Sequence, residues 1–434
     1  MSHEDVIDAV IIGGGFAGVA AMRDLRAEGH SVVLLEARDR LGGRTWYRKF
    51  ADTEQSVEIG GTWSVDRRQP RIAEEKARYS LGTIQSPMPQ NWTMRLDGTV
   101  RDGWLPVPYD DIAGLERALY FLIHDSMRIE FGTPFDRQGL DDLDVSVTEW
   151  MKSRDLDKAA QAFISAFVGL NLGCSPDDAS ALHFLTWIAG MGNSPWTMST
   201  VLTEKFEKGT KSLVDAMVAE SDADIRLSSP VARVEQDDQG VTVTTRSGDV
   251  VRARTAIVAT PLNTWRDVEF SPALSAPKAS AAAAGHSGHA VKPWALVKGA
   301  PDFFASWAWD GGMCYLATEF QLDEGSVMVG FAHAPDIVDI NDPADVADKV
   351  RAVLPDGAEV IGVDGHDWNG DEFSRGTWMA FTPGQLAKLH SGLMANEGRL
   401  VFAGSDIAPR WAGWMEGALE SGRLAARSVG ELLP

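Results

Sequence analysis

Residues 8 to 40, DAVIIGGGFAGVAAMRDLRAEGHSVVLLEARDR, constrain the fold more than any other stretch of the chain. Val10, Ile11 and Ile12 form a short apolar run of the kind buried on both faces in a parallel sheet. Gly13, Gly15 and Gly18 follow at GxGxxG spacing, with Phe16 and Ala17 between the last two, and the residues beyond them read as a helix. Such a turn needs one glycine for the tight reversal, one so that backbone can approach a diphosphate, and one so that helix and strand pack closely. The helix N-terminus then offers unpaired N–H groups to an anion. A second strand, Ser31 to Leu35, ends at Glu36, the acid expected roughly 20 residues beyond the glycines, where it can hold a ribose diol. Glycine triplets alone are common; strand, turn, helix, strand and acid in this order predict a dinucleotide-binding unit.

Further glycines narrow the choice of dinucleotide. After Glu36 come Ala37 and Arg38, then Gly42, Gly43 and Arg44, which set backbone and a guanidinium where both can approach phosphate oxygens. An NAD site has no need of this second element. VEIGGTW, residues 57 to 63, adds a third glycine turn at Gly60 and Gly61, followed by Thr62 and Trp63.

A chain of 434 residues exceeds one ordinary core and fits two domains with a cleft between them. Its 40 basic against 62 acidic side chains, net charge -22, argue against nucleic acid or an anionic membrane surface as a partner. Cys174 and Cys314 are the only cysteines, which excludes a disulfide framework and any multi-cysteine metal site. His183, His286, His289, His333 and His366 show no metal-ligand spacing supported by carboxylates, so no metal is expected. The start, MSHEDVIDAVIIGGG, lacks the basic region and apolar core of a signal peptide, and no run of about 18 apolar residues occurs. The expected location is the cytoplasm.

Periodicity predicts a helix over 71–82, with Ile72, Ala73, Lys76 and Tyr79 at helical spacing, and an irregular stretch over 83–110. Helical spacing returns over 111–170, at Ile112, Leu115, Leu119, Leu122 and Ile123. DDASALHFLTWIAGM reads as a helix capped by Asp177 or Asp178. A helix over 209–220 precedes successive strands over 225–260, where Val241, Val243 and Thr245 alternate and Ser247–Gly248 supplies a hairpin turn. Residues 289–380 are strand-rich and dense in tryptophan, and the chain closes with a strand, a glycine turn and a helix that begins between Trp414 and Gly417.

HAVKPWALVKG, residues 289 to 299, sets Lys292 in a β-like run, on one face with Trp294 and Leu296. Two readings stay open on the residues alone. A strand lysine ordinarily keeps its head in solvent, whereas a desolvated one has its pKa lowered. Pro293 points to an edge or a bulge.

ARDRLGGRT, VEIGGTW, DDASAL, VATPLNTW, GHDW and GSDIAPRWAGWMEGALES resemble the flavin monoamine oxidase family over nearly the whole chain, and within it the bacterial 6-hydroxy-L-nicotine oxidases. The resemblance implies an α/β fold in which a Rossmann-like, GR2-type FAD-binding domain (1–82, 205–288 and 395–434) is interleaved with an α+β substrate-binding domain (83–204 helical, 289–394 sheet). It implies FAD, held non-covalently because no cysteine lies near Trp411 to Trp414. Besides the glycine turns, the implied cofactor contacts are Val231 at adenine, Thr260, Gly404, Ser405, Asp406 at the ribityl chain, the Met415 N–H at the pyrimidine edge, and Ala418. Lys292 matches the lysine that holds a water at flavin N5, and Trp378 and Trp414 match the aromatic positions flanking the substrate nitrogen. The second of these is more often tyrosine in the family. Leu170, Asn171, Tyr315 and Phe331 complete the implied pocket, with Leu170 standing where the hydroxynicotine oxidases place an asparagine.

The implied reaction moves a hydride from the carbon next to a neutral, secondary or cyclic, nicotine-like amine onto flavin, giving an imine or iminium, with O2 reduced to H2O2. A flavin-dependent L-amino-acid oxidase or C–C desaturase, and a flavin-binding scaffold without turnover, are the alternatives. An amino-acid oxidase needs a cation for the carboxylate, with Arg67, Arg68 and Arg375 as candidates. The expected partners are thus a small-molecule amine and O2, with a homodimer as candidate assembly and no membrane.

Overall fold

The structure, a computed structural model, describes residues 6–309 and 312–433. Two large sheets organise it. In the first, the spatial order is Asp224–Arg226, Val32–Leu35, Ile7–Ile12, Val250–Val258, Val241–Thr245, Val231–Gln236, Glu269–Ser271. The first four strands run parallel, and the apolar runs of Val32–Leu35, Ile7–Ile12 and Val250–Val258 are buried as the sequence expects. The nine-residue strand Val250–Val258 ties the sheet together. Its first half pairs antiparallel with Val241–Thr245, its second half parallel with Leu400–Phe402, and its other edge with Ile7–Ile12. The C-terminal segment thereby returns to the middle of the sheet that the N-terminal segment began. Helix Phe16–Ala27 and closing helix Met415–Leu432 pack together on it, and a Cβ at Gly422 would lie 2.2 Å from the Ala17 carbonyl oxygen.

The second sheet has the order Glu359–Asp364, Trp294–Lys298, Gly325–Phe331, Tyr315–Leu322, Phe304–Ala308, Asn91–Leu96, Thr99–Asp102. It is antiparallel except where Phe304–Ala308 meets Asn91–Leu96. Helices Ile112–Ser126, Val147–Ser153, Lys158–Leu172 and Ala181–Gly190 lie in the intervening sequence and join its inner face in one apolar core. Most elements expected over 111–260 are present, and the alternation at Val241, Val243 and Thr245 is a buried face.

Four local expectations are corrected. The stretch 83–110 is not irregular: it holds Thr83–Gln85 and the hairpin Asn91–Leu96/Thr99–Asp102. The hairpin turns at Asp97 and Gly98, both with positive φ (57° and 82°), the Asp-Gly signature of a two-residue turn. Helix Ala181–Gly190 is capped by the Ser180 hydroxyl, which accepts from the His183 N–H, while Asp178 accepts from the Ser175 hydroxyl instead. The strand-rich half also contains helix Pro343–Val353, started by the Asp342 side chain and a first-turn proline. Finally, the strand after Lys292 begins only at Trp294. Pro293 has no N–H for the ladder, so Lys292 stands just before an interior strand, with its side chain buried.

His183 is enclosed, its Nδ1 accepting from the Phe381 N–H at 3.1 Å, and burial lowers its pKa to about 3. It is therefore neutral in the fold, whereas in the unfolded chain it takes up a proton below about pH 6.5. The stability it contributes is present above that pH and lost as pH falls toward 3. His183→Asn keeps an acceptor and removes the titration. Relative to the wild type, the variant should gain on the order of 1.4 kcal/mol per pH unit between pH 6 and 4, read from denaturant midpoints; a pH-independent difference would exclude a buried neutral imidazole.

Candidate functional site: a long cavity from the glycine turn to an aromatic end

One cavity of about 1880 Å3, its open mouth included, is lined by all five segments of the chain. At its centre lies the first glycine turn. A Cβ on Gly18 would sit 1.9 Å from the Gly13 carbonyl oxygen, and Gly13 has φ +109° with Ala259 O only 2.8 Å from where a Cβ would be. These two glycines therefore serve packing, and Gly18 stands behind the wall. Gly15, with Phe16 and Ala17, faces the cavity. Gly15 is the helix N-cap with no side-chain cap, and the N–H groups of Gly15, Phe16 and Ala17 have no acceptor among the described residues. Gly43 approaches Gly15 closely, its own Cβ position 3.3 Å from the Gly15 Cα, so two runs of bare backbone flank the same space.

Toward one end, Glu36 is buried and accepts from the N–H groups of Gly14 (2.7 Å) and Arg38 (2.8 Å). Ala37, Arg38, Ser229, Pro230, Val231, Arg246 and Phe373 surround it along the wall. Near the middle, Arg44 does not hang free. Its Nη2 donates to Asp406 Oδ1 (2.6 Å) and Ser405 Oγ (3.0 Å), and its Nη1 to the Thr377 carbonyl (2.5 Å). Burial pushes the Asp406 carboxyl up, but the charges of Arg44 and His286 with the hydrogen bonds from Arg44 and the Leu262 N–H together hold it below its usual range. The other Asp406 oxygen accepts from the Leu262 N–H, so Asp406 lies outside the lining and fixes Arg44. Gly42, Gly404, Ser405, Met415, Ala418 and Thr260 reach the cavity, and the buried Thr260 hydroxyl has no partner.

Toward the other end the wall turns mostly apolar, with Leu170, Trp187, Val201, Leu202, Phe331, Trp378 and Trp414 and the polar Asn171 among them. Trp378 donates its Nε1–H to the Asn171 carbonyl at 2.7 Å. Trp414 packs perpendicular to Trp187 (5.0 Å, 68°), whose own Nε1–H goes to the Ala412 carbonyl. Asn171 turns its amide back to the Phe167 carbonyl one helical turn earlier. Tyr315 packs against Phe331, 6.4 Å between rings, one layer behind the lining.

Lys292 enters between Trp63 and Phe331, with Gly60, Gly61 and Thr62 beside it. Its Nζ lies 2.8 Å from the Glu58 carbonyl, 2.7 Å from the Gly60 carbonyl and 2.5 Å from Thr62 Oγ1. Burial lowers its pKa to about 7, opposed by the charges of Glu58 and Glu319 and aided by Lys205. Three contacts use every N–H of an ammonium, while the Thr62 hydroxyl donates to the Gly60 carbonyl at 3.0 Å; a neutral amine has two N–H groups and a lone pair, which that hydroxyl fills on turning away from Gly60. The solvated-lysine reading is thus ruled out by its burial.

The bare backbone at a helix N-terminus, the paired acid and the unpartnered Thr260 hydroxyl fit a flavin dinucleotide. Cys174 and Cys314 are both buried and neither lines the cavity, and no cluster of metal-ligating side chains occurs among the described residues. No helix among them is long and apolar enough to cross a membrane. Sequence reasoning missed Trp187, Trp368, Arg246 and Phe373; the GHDW stretch contains Trp368, but nothing in its spacing points into a cavity.

The model of the flavin containing amine oxidoreductases matches residues 16–430, and the chain belongs to that family. Its cofactor is FAD, and it is an amine-oxidising flavoenzyme. It is 35% identical to the (S)-6-hydroxynicotine oxidase of Paenarthrobacter nicotinovorans, over 97% of this chain and 99% of that one, and 35% identical to a pseudooxynicotine dehydrogenase of Pseudomonas sp, over 98% and 86%. A redesigned putrescine oxidase shares the fold, with TM-score 0.88 over 98% of this chain and 99% of that one at 23% identity.

Gly18→Ala tests the turn. The added methyl must displace the Gly13 carbonyl, an overpacking cost of about 1–3 kcal/mol, so the purified variant should bind FAD about tenfold more weakly by flavin absorbance titration. Unchanged affinity would mean that the turn is not what orders the phosphate site.

Proposed function

We propose that this enzyme oxidises a neutral secondary or cyclic amine, of the pyridine-bearing, nicotine-like kind, to an imine or iminium, with O2 as electron acceptor and H2O2 as product. The observation that carries the reading is the aromatic end of the cavity, where Lys292 is the one ionisable side chain in the lining among the described residues. A protonated amine has no lone pair to form the C=N bond, and an apolar chamber disfavours the charged form. Trp378 and Trp414 offer ring faces that attract an incoming ammonium before it gives up its proton. Segments 1–82, 205–288 and 395–434 hold the cofactor, and 83–204 and 289–394 shape the amine pocket.

Bound FAD supplies the two-electron acceptor for a hydride equivalent from the carbon next to nitrogen. The Met415 N–H, at the first turn of the closing helix and without an acceptor among the described residues, favours negative charge in front of it. Lys292, held near neutrality, can retain or release a proton at Nζ as its bond with Thr62 reverses. Fixed by two backbone carbonyls, it stays at the cavity wall in either state. Names among the relatives divide between oxidase and dehydrogenase, so the acceptor is part of the proposal. The amino-acid oxidase reading has no support in the lining: Arg67, Arg68 and Arg375 lie outside it, and Arg375 pairs with Asp267.

Anaerobic mixing with cyclic, methylated and pyridine-bearing amines should bleach the flavin, and air should restore it with H2O2 formed. No bleaching by any amine, or bleaching only by amino acids, would overturn the reading. The catalytic efficiency should rise with pH through an amine ionisation, and a flat profile would contradict the neutral-amine requirement. Lys292→Met should keep FAD while slowing flavin turnover on the order of 10²-fold; loss of FAD and fold instead would make the lysine structural.

A further inference from the structure

The segment His366 to Thr377 belongs to the sheet-rich half of the chain yet crosses onto the cofactor half, and charged contacts fasten it along its length. Arg38 Nη2 lies 2.7 Å from both Asp371 Oδ1 and Ser374 Oγ. Arg246 Nη1 lies 2.7 Å from Glu372 Oε2, and Arg375 Nε 2.5 Å from Asp267 Oδ2. Between the first two fastenings sits Phe373, with the guanidinium carbons of Arg38 and Arg246 at 5.6 and 5.4 Å from its ring. Phe373 and Glu372 line the cavity beside Arg38 and Arg246, and Trp368 lines it beside the third glycine turn, its Nε1–H on the Ile59 carbonyl. His366 Nε2 braces Asp371 from behind at 2.9 Å.

The backbone here is one that only its surroundings hold. Arg375 has φ +50° and Gly376 φ +148°, and a Cβ at Gly376 would lie 2.9 Å from Asn263 Nδ2. The Arg375 carbonyl accepts from that same Asn263 amide. A non-glycine residue in the left-handed region persists when tertiary contacts over-determine it, and here these contacts come from the cofactor half. The outer pairs are half exposed, 42% and 53% for Arg246 and Glu372, so each is weak and screened by salt. Arg38 and Asp371 are mostly buried.

We propose that Asp371–Gly376 is a clasp that closes the adenosine side of the FAD cavity through Phe373, and that it has to unfasten from Arg38, Arg246 and Asp267 before the cofactor can leave or enter. The proposal depends on FAD as the cofactor and not on which amine is oxidised. Opening breaks the two exposed outer pairs and the more buried Arg38–Asp371 pair together and leaves the glycine turn and Lys292 in place. The clasp ends at Gly376, and Thr377, whose carbonyl Arg44 holds, anchors the chain before Trp378.

The test is release of FAD from the holoenzyme, followed by the fluorescence of freed flavin after dilution. Wild-type release should quicken as salt is raised. Arg375→Ala, whose side chain is outside the cavity, should quicken it about fivefold and Phe373→Ala about tenfold or more, with the bound flavin spectrum unchanged. Release that is insensitive both to salt and to Arg375→Ala overturns the clasp. Faster release in Phe373→Ala alone would make Phe373 an ordinary cofactor contact and likewise overturn it. Should Phe373→Ala fail to fold, salt and Arg375→Ala decide.

Discussion

The Arg44 guanidinium is the junction on which the rest of the architecture depends. It joins the N-terminal segment to the Thr377 carbonyl of the sheet half and to Ser405 and Asp406 of the C-terminal segment, while Asp406 reaches on to the Leu262 N–H. Four pieces of chain, far apart in sequence, meet at one planar cation with fixed donor directions. A lysine could not do this, because its donors do not form a rigid fork. Asp406 is nearly fully buried, so the pair is worth keeping only while both partners are present. An interleaved fold needs such a point, since neither half is continuous in the chain.

Around that junction the cavity changes character along its length. At the Glu36 end the wall carries bare amides, arginines and carboxylates, suited to a nucleotide. At the Trp378 end it carries mostly rings and aliphatic side chains, with Lys292, Thr62 and Asn171 the exceptions. The low-dielectric end both penalises a charged amine and depresses the lysine, so one physical cause acts on substrate and protein together. Behind the lysine, the buried Lys205–Glu319 pair and Ser86, which accepts from the Trp63 indole, close the wall.

Much of this is legible in the order of the residues. The glycine turn and Glu36 are local, set by backbone sterics over a few residues, and the structure brings them together as expected. The second and third glycine turns, Val231 and Met415 line the same cavity. Other features are set by context. The Asp97–Gly98 turn has a readable signature but lies in a stretch crowded with tryptophan and proline, and the Ser180 cap wins over its acidic neighbours because its backbone, not theirs, has the extended geometry before the helix. Gly18, Asp406 and Tyr315 carry the expected residue types, yet stand one layer behind the cavity.

The sequence by itself determined the local chemistry: a βαβ turn for a dinucleotide, apolar strands for a parallel sheet, an excess of acidic side chains, and too few cysteines for a disulfide framework or a multi-cysteine metal site. Only the tertiary structure decided that Lys292 is buried rather than solvated, that Arg44 is spent on Asp406, and that Glu372 and Phe373 line the cavity beside Arg38 and Arg246. The reason is physical. Backbone conformation follows from neighbours a few residues away, whereas desolvation and ion pairing depend on which distant segments arrive at the same place.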